Sequence, residues 1–241
     1  TCFITPSVPF AERRSINMTM QFFMNDIFRE EPDWGQQLRK DMVNFSDNDK
    51  VEQCLKQNEY ILSHSWADTL MIDQYESDRR FIEGEAAMYL TGSWSLPLMN
   101  QFNPTQQYGI FPYPNQSGDA YLIRETNMTF VKSKTTVHGD IIDQIFEELL
   151  TNEKLIQDIM EFTQAYSTIK GVERKYQSYI DEDINFYKEN NQVIEVTIGN
   201  NQLIWSFQND FAAKQLEWLQ GKLKLQDVLA YGDQYRIESS N

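Results

Sequence analysis

Phe81-Ile82-Glu83-Gly84-Glu85-Ala86-Ala87-Met88-Tyr89-Leu90-Thr91-Gly92-Ser93-Trp94 is the stretch whose reading decides the fold. Phe81 and Ile82 close an amphipathic pattern, and Gly84 is free to take the left-handed conformation that ends a helix. Ala86 to Leu90 is a short, mostly apolar run suited to a covered strand. Gly92-Ser93-Trp94 turns the chain off that strand, with a large aromatic beside a glycine that lets backbone come close. The indole reads in two ways: as a core tryptophan at a crossover, or as a platform for a flat ligand.

Working outward, Gln74 to Glu83 forms a short helix leading into this stretch, and Ser95 to Met99 starts another with Pro97 in its first turn. Tyr108 to Phe111 reads as a strand, as do Tyr121-Leu122-Ile123 and Met128 to Val131, the last two separated by Arg124-Glu125-Thr126-Asn127. Towards the amino terminus, Met18, Phe22, Phe23 and Ile27 recur at helical spacing and predict a helix over Ser15 to Arg29. Glu30 to Asn44, polar and holding Pro32 and Gly35, reads as a loop. Ser46 or Asp47 is the expected cap of a helix with Val51, Cys54, Leu55, Asn58, Ile61 and Leu62 on one face. Trp66, just past that helix, is a further candidate platform, with packing as the alternative.

Towards the carboxyl terminus, Ile141, Ile142, Ile145, Phe146 and Leu149 mark the expected buried side of one helix. Thr151 is the expected cap of the next, with Leu155, Ile159 and Phe162 inward. Val193 to Ile198 alternates like an edge strand. Leu203 to Gln220 is a long helix, and Leu225, Val228, Leu229 and Gly232 close the chain in an amphipathic one.

The chain has 241 residues, enough for one large or two small domains. Its formal charge is −15, which argues against nucleic acid and anionic lipid as partners, since both need basic patches. No run of 18 apolar residues exists to span a membrane. The two cysteines, Cys2 and Cys54, are too few for a disulfide framework. The two histidines stand alone, so no metal and no cofactor is expected. There is no Gly-x-Ser-x-Gly, phosphate loop or zinc signature, and an enzyme is not expected. Abundant carboxylates leave a glycoside hydrolase as the enzymatic alternative.

The pattern Phe-x-x-Gly-x-Ala-Ala-Met-x-x-x-Gly-x-Trp over residues 81–94 resembles the hallmark of extracellular solute-binding proteins that serve sugar-type ABC importers. Three further stretches resemble that family in the same order. They are Tyr108-Gly109-Ile110-Phe111-Pro112-Tyr113-Pro114, the helical unit from Asp140 to Thr163, and the ending from Gln215 to Arg236 with Gly221-Lys222-Leu223 and Asp227-Val228-Leu229. Together they cover about two-thirds of the chain, from about residue 80 on.

The resemblance implies an α/β, periplasmic-binding-protein-like fold of class II, helix-rich and truncated at its N-terminal side. It places residues 1–123 in the second lobe, 124–190 in a hinge crossing and part of the first lobe, and 191–241 back in the second lobe. It implies a binding role, with Trp94 and Ser93 at the ligand and Trp205, then Phe207, as a further aromatic contact. Phe10 would lie near the cleft. Where the family has a Gly/Ser-rich crossing between lobes, this chain has Arg124, Glu125 and Asn127: an Arg–carboxylate pair and an amide for a polar ligand, or a structural salt bridge. The implied partners are a sugar or oligosaccharide and the permease subunits of an ABC transporter. The implied protein is a monomer on the extracellular face of the membrane, lipid-anchored through a missing amino-terminal segment. A ligand sensor on the same fold is the alternative role.

Overall fold

The computed structural model describes residues 4–6, 22–69, 72–112, 115, 117–125, 130–175, 178–196 and 205–234. Its organisation follows from where helices are stopped and strands covered. Helix α1 (Trp34–Arg39) and helix α2 (Asp49–Ser63) precede helix α3 (Gln74–Ile82), whose start is fixed by the Asp73 carboxylate accepting from the Glu76 amide at 2.8 Å. Gly84 then takes φ +78°, and the amides of Gly84 and Glu85 turn back to the carbonyls of Phe81 and Arg80, so α3 ends as its sequence predicts.

Strand β2 (Met88–Leu90) pairs in parallel with β1 (Ile4–Pro6), Ile4 facing Met88. It is shorter than the apolar run and only half-buried, with Ala86 the covered residue before it. A 3₁₀ turn over Ser93–Ser95 leads into α4 (Leu96–Phe102). A second parallel pair joins β3 (Leu122–Glu125) to β4 (Val193–Val196), placing Arg124 opposite Glu195. Between them in sequence lie α5 (Gly139–Thr151), α6 (Glu153–Thr163) and α7 (Asp181–Glu189). Helices α8 (Trp205–Leu219) and α9 (Leu225–Asp233) follow.

Among the described residues, fifteen buried ones form the main core, from Phe22, Trp34, Phe45, Val51 and Leu55 to Phe207, Phe211 and Val228. A smaller cluster gathers Leu96, Met99 and Ile180 with Phe81, Tyr89 and Tyr108. At about 1.5–3 kcal/mol for each fully buried large apolar side chain, the first cluster dominates stability. Strand β2 lies between the two: its pleat sends Tyr89 to the small cluster and Leu90 to the main one. Close approach at the far end depends on Gly232, where a Cβ would overlap the Phe45 ring.

Several expectations are corrected. The segment read as a loop from residue 30 holds α1, because Trp34 and Leu38, one turn apart, are both sealed in the main core. The cap of α2 is Asn48, whose side chain accepts from the Lys50 amide; Ser46 instead bonds Asp233. Residues 108–111 form no strand: Tyr108 packs on the Phe81 ring and the Ile110 amide donates to Asp183. Arg124 and Glu125 stand inside β3. Asn152, not Thr151, caps α6, which buries Ile156 and Met160 while Phe162 is exposed. No residue of α5 is fully buried: of the expected inner side, Ile142, Phe146 and Leu149 are half-buried and Ile141 and Ile145 are exposed.

Among the described part of the predicted first helix, Phe22 and Phe23 are helical and Met24–Phe28 forms a π-helical turn. Within it Asp26 is buried 3.8 Å from the Cys54 sulfur, and burial raises the pKa of both groups.

Candidate functional site

The carboxyl end of a parallel strand is where open α/β folds leave room for ligands, because the chain must turn away there before it returns. In β2 that end is followed by Thr91-Gly92-Ser93-Trp94. Gly92 is extended, and the six-membered ring of Trp94 folds back against it so closely that any Cβ at residue 92 would overlap the indole. The ring is therefore braced on backbone on one side and open on the other: Trp94 is 52% exposed. Under the turn, the buried Ser95 hydroxyl lies 2.7 Å from that of Thr91, tying the two ends of the bend together. Ser93, half-buried, opens the 3₁₀ turn.

Rigid aromatics support this bend. Phe81 has ring centroids 5.4 Å from Tyr89 and 5.2 Å from Tyr108. Burial raises the pKa of the Tyr108 phenol, so at neutral pH it carries no charge. A half-open indole on a stiff floor can stack against an apolar ring face, losing little entropy because the ring is already held.

The other predicted residues lie elsewhere or are already engaged. Trp66 carries the Arg80 guanidinium 4.8 Å over its ring, and Arg80 is gripped by Asp68 and Glu76 at 2.6–3.0 Å. Hydrogen bonds from Arg79 and then Arg80 hold the Glu76 carboxyl at about 2, so this face of Trp66 is covered by a charged lattice. Arg124 is half-exposed and bonds Glu195 at 3.1 Å across the β3–β4 pair, the cross-strand arrangement of an exposed ion pair. Trp94 lies just past the β1–β2 pair, whereas Arg124 stands within the β3–β4 pair.

Phe207 is core: it is 1% exposed, stacks on Phe211 at 5.5 Å and on Tyr231 at 6.1 Å, and offers no face to a ligand. The side chains of Glu125 and Trp205, and all of Phe10 and Asn127, lie outside the described residues. Sequence reasoning did not assign the bracing role of Gly92 or the Thr91–Ser95 tie. The signal was present as a Gly two residues before an aromatic, which fits backbone–ring contact as well as an ordinary turn.

An open groove of about 440 Å³ lies apart from this bend, lined by Glu153, Gln157, Gly171, Val172, Arg174 and Lys175 among others. Lys175 there is paired with Glu153, and Arg174 with Asp181. Among the described residues no cluster of His, Cys, Asp and Glu is arranged to hold a metal, and no helix is long and apolar enough to cross a membrane.

No protein-family model matches the chain, and no curated protein matches it. Solved structures do. A sugar transporter of Bacillus licheniformis in complex with stachyose matches 95% of the chain at a TM-score of 0.71 and 16% identity. A chitin oligosaccharide binding protein matches 98% at 0.74 and 15% identity. A Bacillus subtilis protein described as the binding protein MsmE, in an open conformation, matches 98% at 0.70 and 16% identity. The chain has the fold of these proteins over nearly its whole length and spans 60–61% of theirs.

Proposed function

We propose that the chain is the larger part of a solute-binding protein that captures a carbohydrate, or a similar polar solute, outside the membrane and delivers it to an ABC permease. The observation that carries this reading is the half-open Trp94 indole, braced on Gly92 at the carboxyl end of a parallel strand. The fold supports it, since two of the similar structures are named for, or hold, an oligosaccharide. In this reading residues 1–123 and 191–241 belong to one lobe and 124–190 to the crossing and the other lobe. The joint core of Phe22, Trp34, Phe207 and Val228 supports the first grouping. A sugar would stack its apolar ring face on Trp94 and leave its hydroxyls to amide, hydroxyl and carboxylate groups of the closing lobe. The protein would bind without chemistry, as a monomer, held to the membrane surface by a lipid on a preceding segment.

The test is a thermal-shift screen of the encoded polypeptide against mono- and oligosaccharides, amino sugars and polyols, because a bound ligand raises the melting temperature in step with its excess over Kd. For the best ligand, Trp94→Ala is expected to weaken binding by about 1–2 kcal/mol, roughly tenfold in Kd, with the fold intact by circular dichroism. An unchanged Kd in calorimetric titration would remove Trp94 from the site. A screen with no shift from any carbohydrate would remove the sugar reading.

A further inference from the structure

In a chain of formal charge −15, helical lysines find carboxylates easily. Lys56, Lys154 and Lys214 each pair with one that stands three or four residues away on the same helix. Lys188, in the last turn of α7, does not. Its neighbours at that spacing, Ile184, Asn185 and Asn191, carry no charge. Among the described residues no carboxylate lies within ion-pair distance of its ammonium, which stands over the Tyr166 ring at 4.3 Å from the centroid.

The same ring carries a second cation, the Arg174 guanidinium, at 4.4 Å from its centroid. That cation is fixed in place. Its side chain is 5% exposed and paired with Asp181, which also accepts from the Tyr166 hydroxyl at 3.0 Å and the Ser178 amide at 2.8 Å. On either side of Arg174 the backbone is clamped by Gln157 of α6. The Gln157 amide donates to the Glu173 carbonyl at 2.8 Å, and its oxygen accepts from the Lys175 amide at 3.0 Å. Partial desolvation, and then the charges of Arg124 and Arg174, lower the Lys188 pKa from its ordinary value. Arg174 is answered by Asp181 and Arg124 by Glu195, so one positive charge is left over.

Like charges held together on rigid supports repel, and an anion placed between them removes that cost. A surplus of one charge matches a singly charged oxyanion, and the acidity of the chain disfavours a dianion such as phosphate. Helix α7 also connects this place to the Trp94 bend. Ile180, just before the helix, is buried in the small cluster with Tyr89 and Tyr108, and Asp183 accepts from the Ile110 amide at 2.8 Å. Lys188 lies about 12 Å further along the axis, a separation that an oligosaccharide can span.

We infer that Lys188, held over Tyr166 beside Arg174 and Arg124, receives the carboxylate of an acidic carbohydrate such as a uronic-acid sugar. The inference rests on the carbohydrate reading above and narrows it from sugars in general to sugar acids. The ammonium donates a charge-assisted hydrogen bond to a carboxylate oxygen, and the fixed guanidinium adds attraction without itself moving.

Calorimetric titration of the encoded polypeptide tests it. Glucuronate and galacturonate, alone and as short oligomers, are compared with glucose and galactose in matching form, with inorganic phosphate as the dianion probe. The parent is expected to prefer the acidic series by about tenfold or more in Kd. Lys188→Met keeps the aliphatic stem on Tyr166 without the charge, and should bring the ratio of acidic to neutral Kd close to one. Lys188→Arg should restore most of the preference, with both variants melting within a few degrees of the parent. Neutral sugars bound as tightly as acidic ones overturn the inference and leave the carbohydrate reading standing. An acid preference that survives Lys188→Met does the same, and phosphate bound more tightly than any carboxylate overturns the choice of anion. If neither series binds, the carbohydrate reading falls and the inference falls with it.

Discussion

A single missing methyl group decides how Trp94 is presented. With a hydrogen at residue 92 the indole lies flat on backbone, and with any side chain it must rotate or the 3₁₀ turn must shift. Forcing such an overlap costs about 1–3 kcal/mol when the neighbours are fixed. Here the indole has open solvent on its other side, so the ring can yield at little cost to the fold. Gly92→Ala is therefore expected to leave the melting temperature within a few degrees of the parent. It should weaken the best carbohydrate ligand about as much as Trp94→Ala does, because the platform is displaced. Titration and melting of the same sample separate the two effects. Full affinity in Gly92→Ala would mean that the ring position does not matter to the ligand.

At the scale of elements, the opposite outcome is expected where a similar glycine meets a sealed core. Gly232 lies in α9 against Phe45, which is fully buried and packed on Trp34 at 5.2 Å, Phe207 at 5.7 Å and Phe211 at 5.2 Å between ring centroids. In an exposed helix, Gly→Ala stabilises by about 1 kcal/mol through propensity. At Gly232 the ring has nowhere to go, and overpacking at about 1–3 kcal/mol outweighs that gain. Gly232→Ala should lower stability in urea unfolding, and an increase would show that α9 shifts outward freely.

The same contrast explains how legible the elements were. Helices α2, α8 and α9 were readable because each repeats apolar residues at helical spacing, and α3 because Phe81 and Ile82 run into the stop at Gly84. Helix α1 was not, since its only signals are Trp34 and Leu38 among Gly35, Gln36, Gln37 and Arg39. Residues 108–111 carry strand-like composition for a different reason: Tyr108 and Ile110 pack on the small cluster without pairing to a strand. At the site, the exposed indole was one of two readings that the sequence left open. The ion pair of Arg124 with Glu195 was hidden, because the partners lie 71 residues apart.

Across the whole molecule the two parallel pairs share that long-range character, β1 with β2 and β3 with β4, and so does the distribution of stability. Among the described residues the main core draws on residues 22–61 and 207–229 and holds fifteen buried side chains, whereas α5 holds none and α6 only Ile156 and Met160. Local opening costs least where few apolar groups are covered and backbone hydrogen bonds lie near solvent. In the 241-residue chain, amides in the middle of α2 and α8 are expected to exchange only through global unfolding. Those of α5 should exchange roughly a hundredfold faster or more, with α6 between them. Native-state hydrogen exchange followed by mass spectrometry resolves these helices as separate peptides. Rates in α5 as slow as those in α2 would mean that its stripe is protected despite the exposure of Ile141 and Ile145.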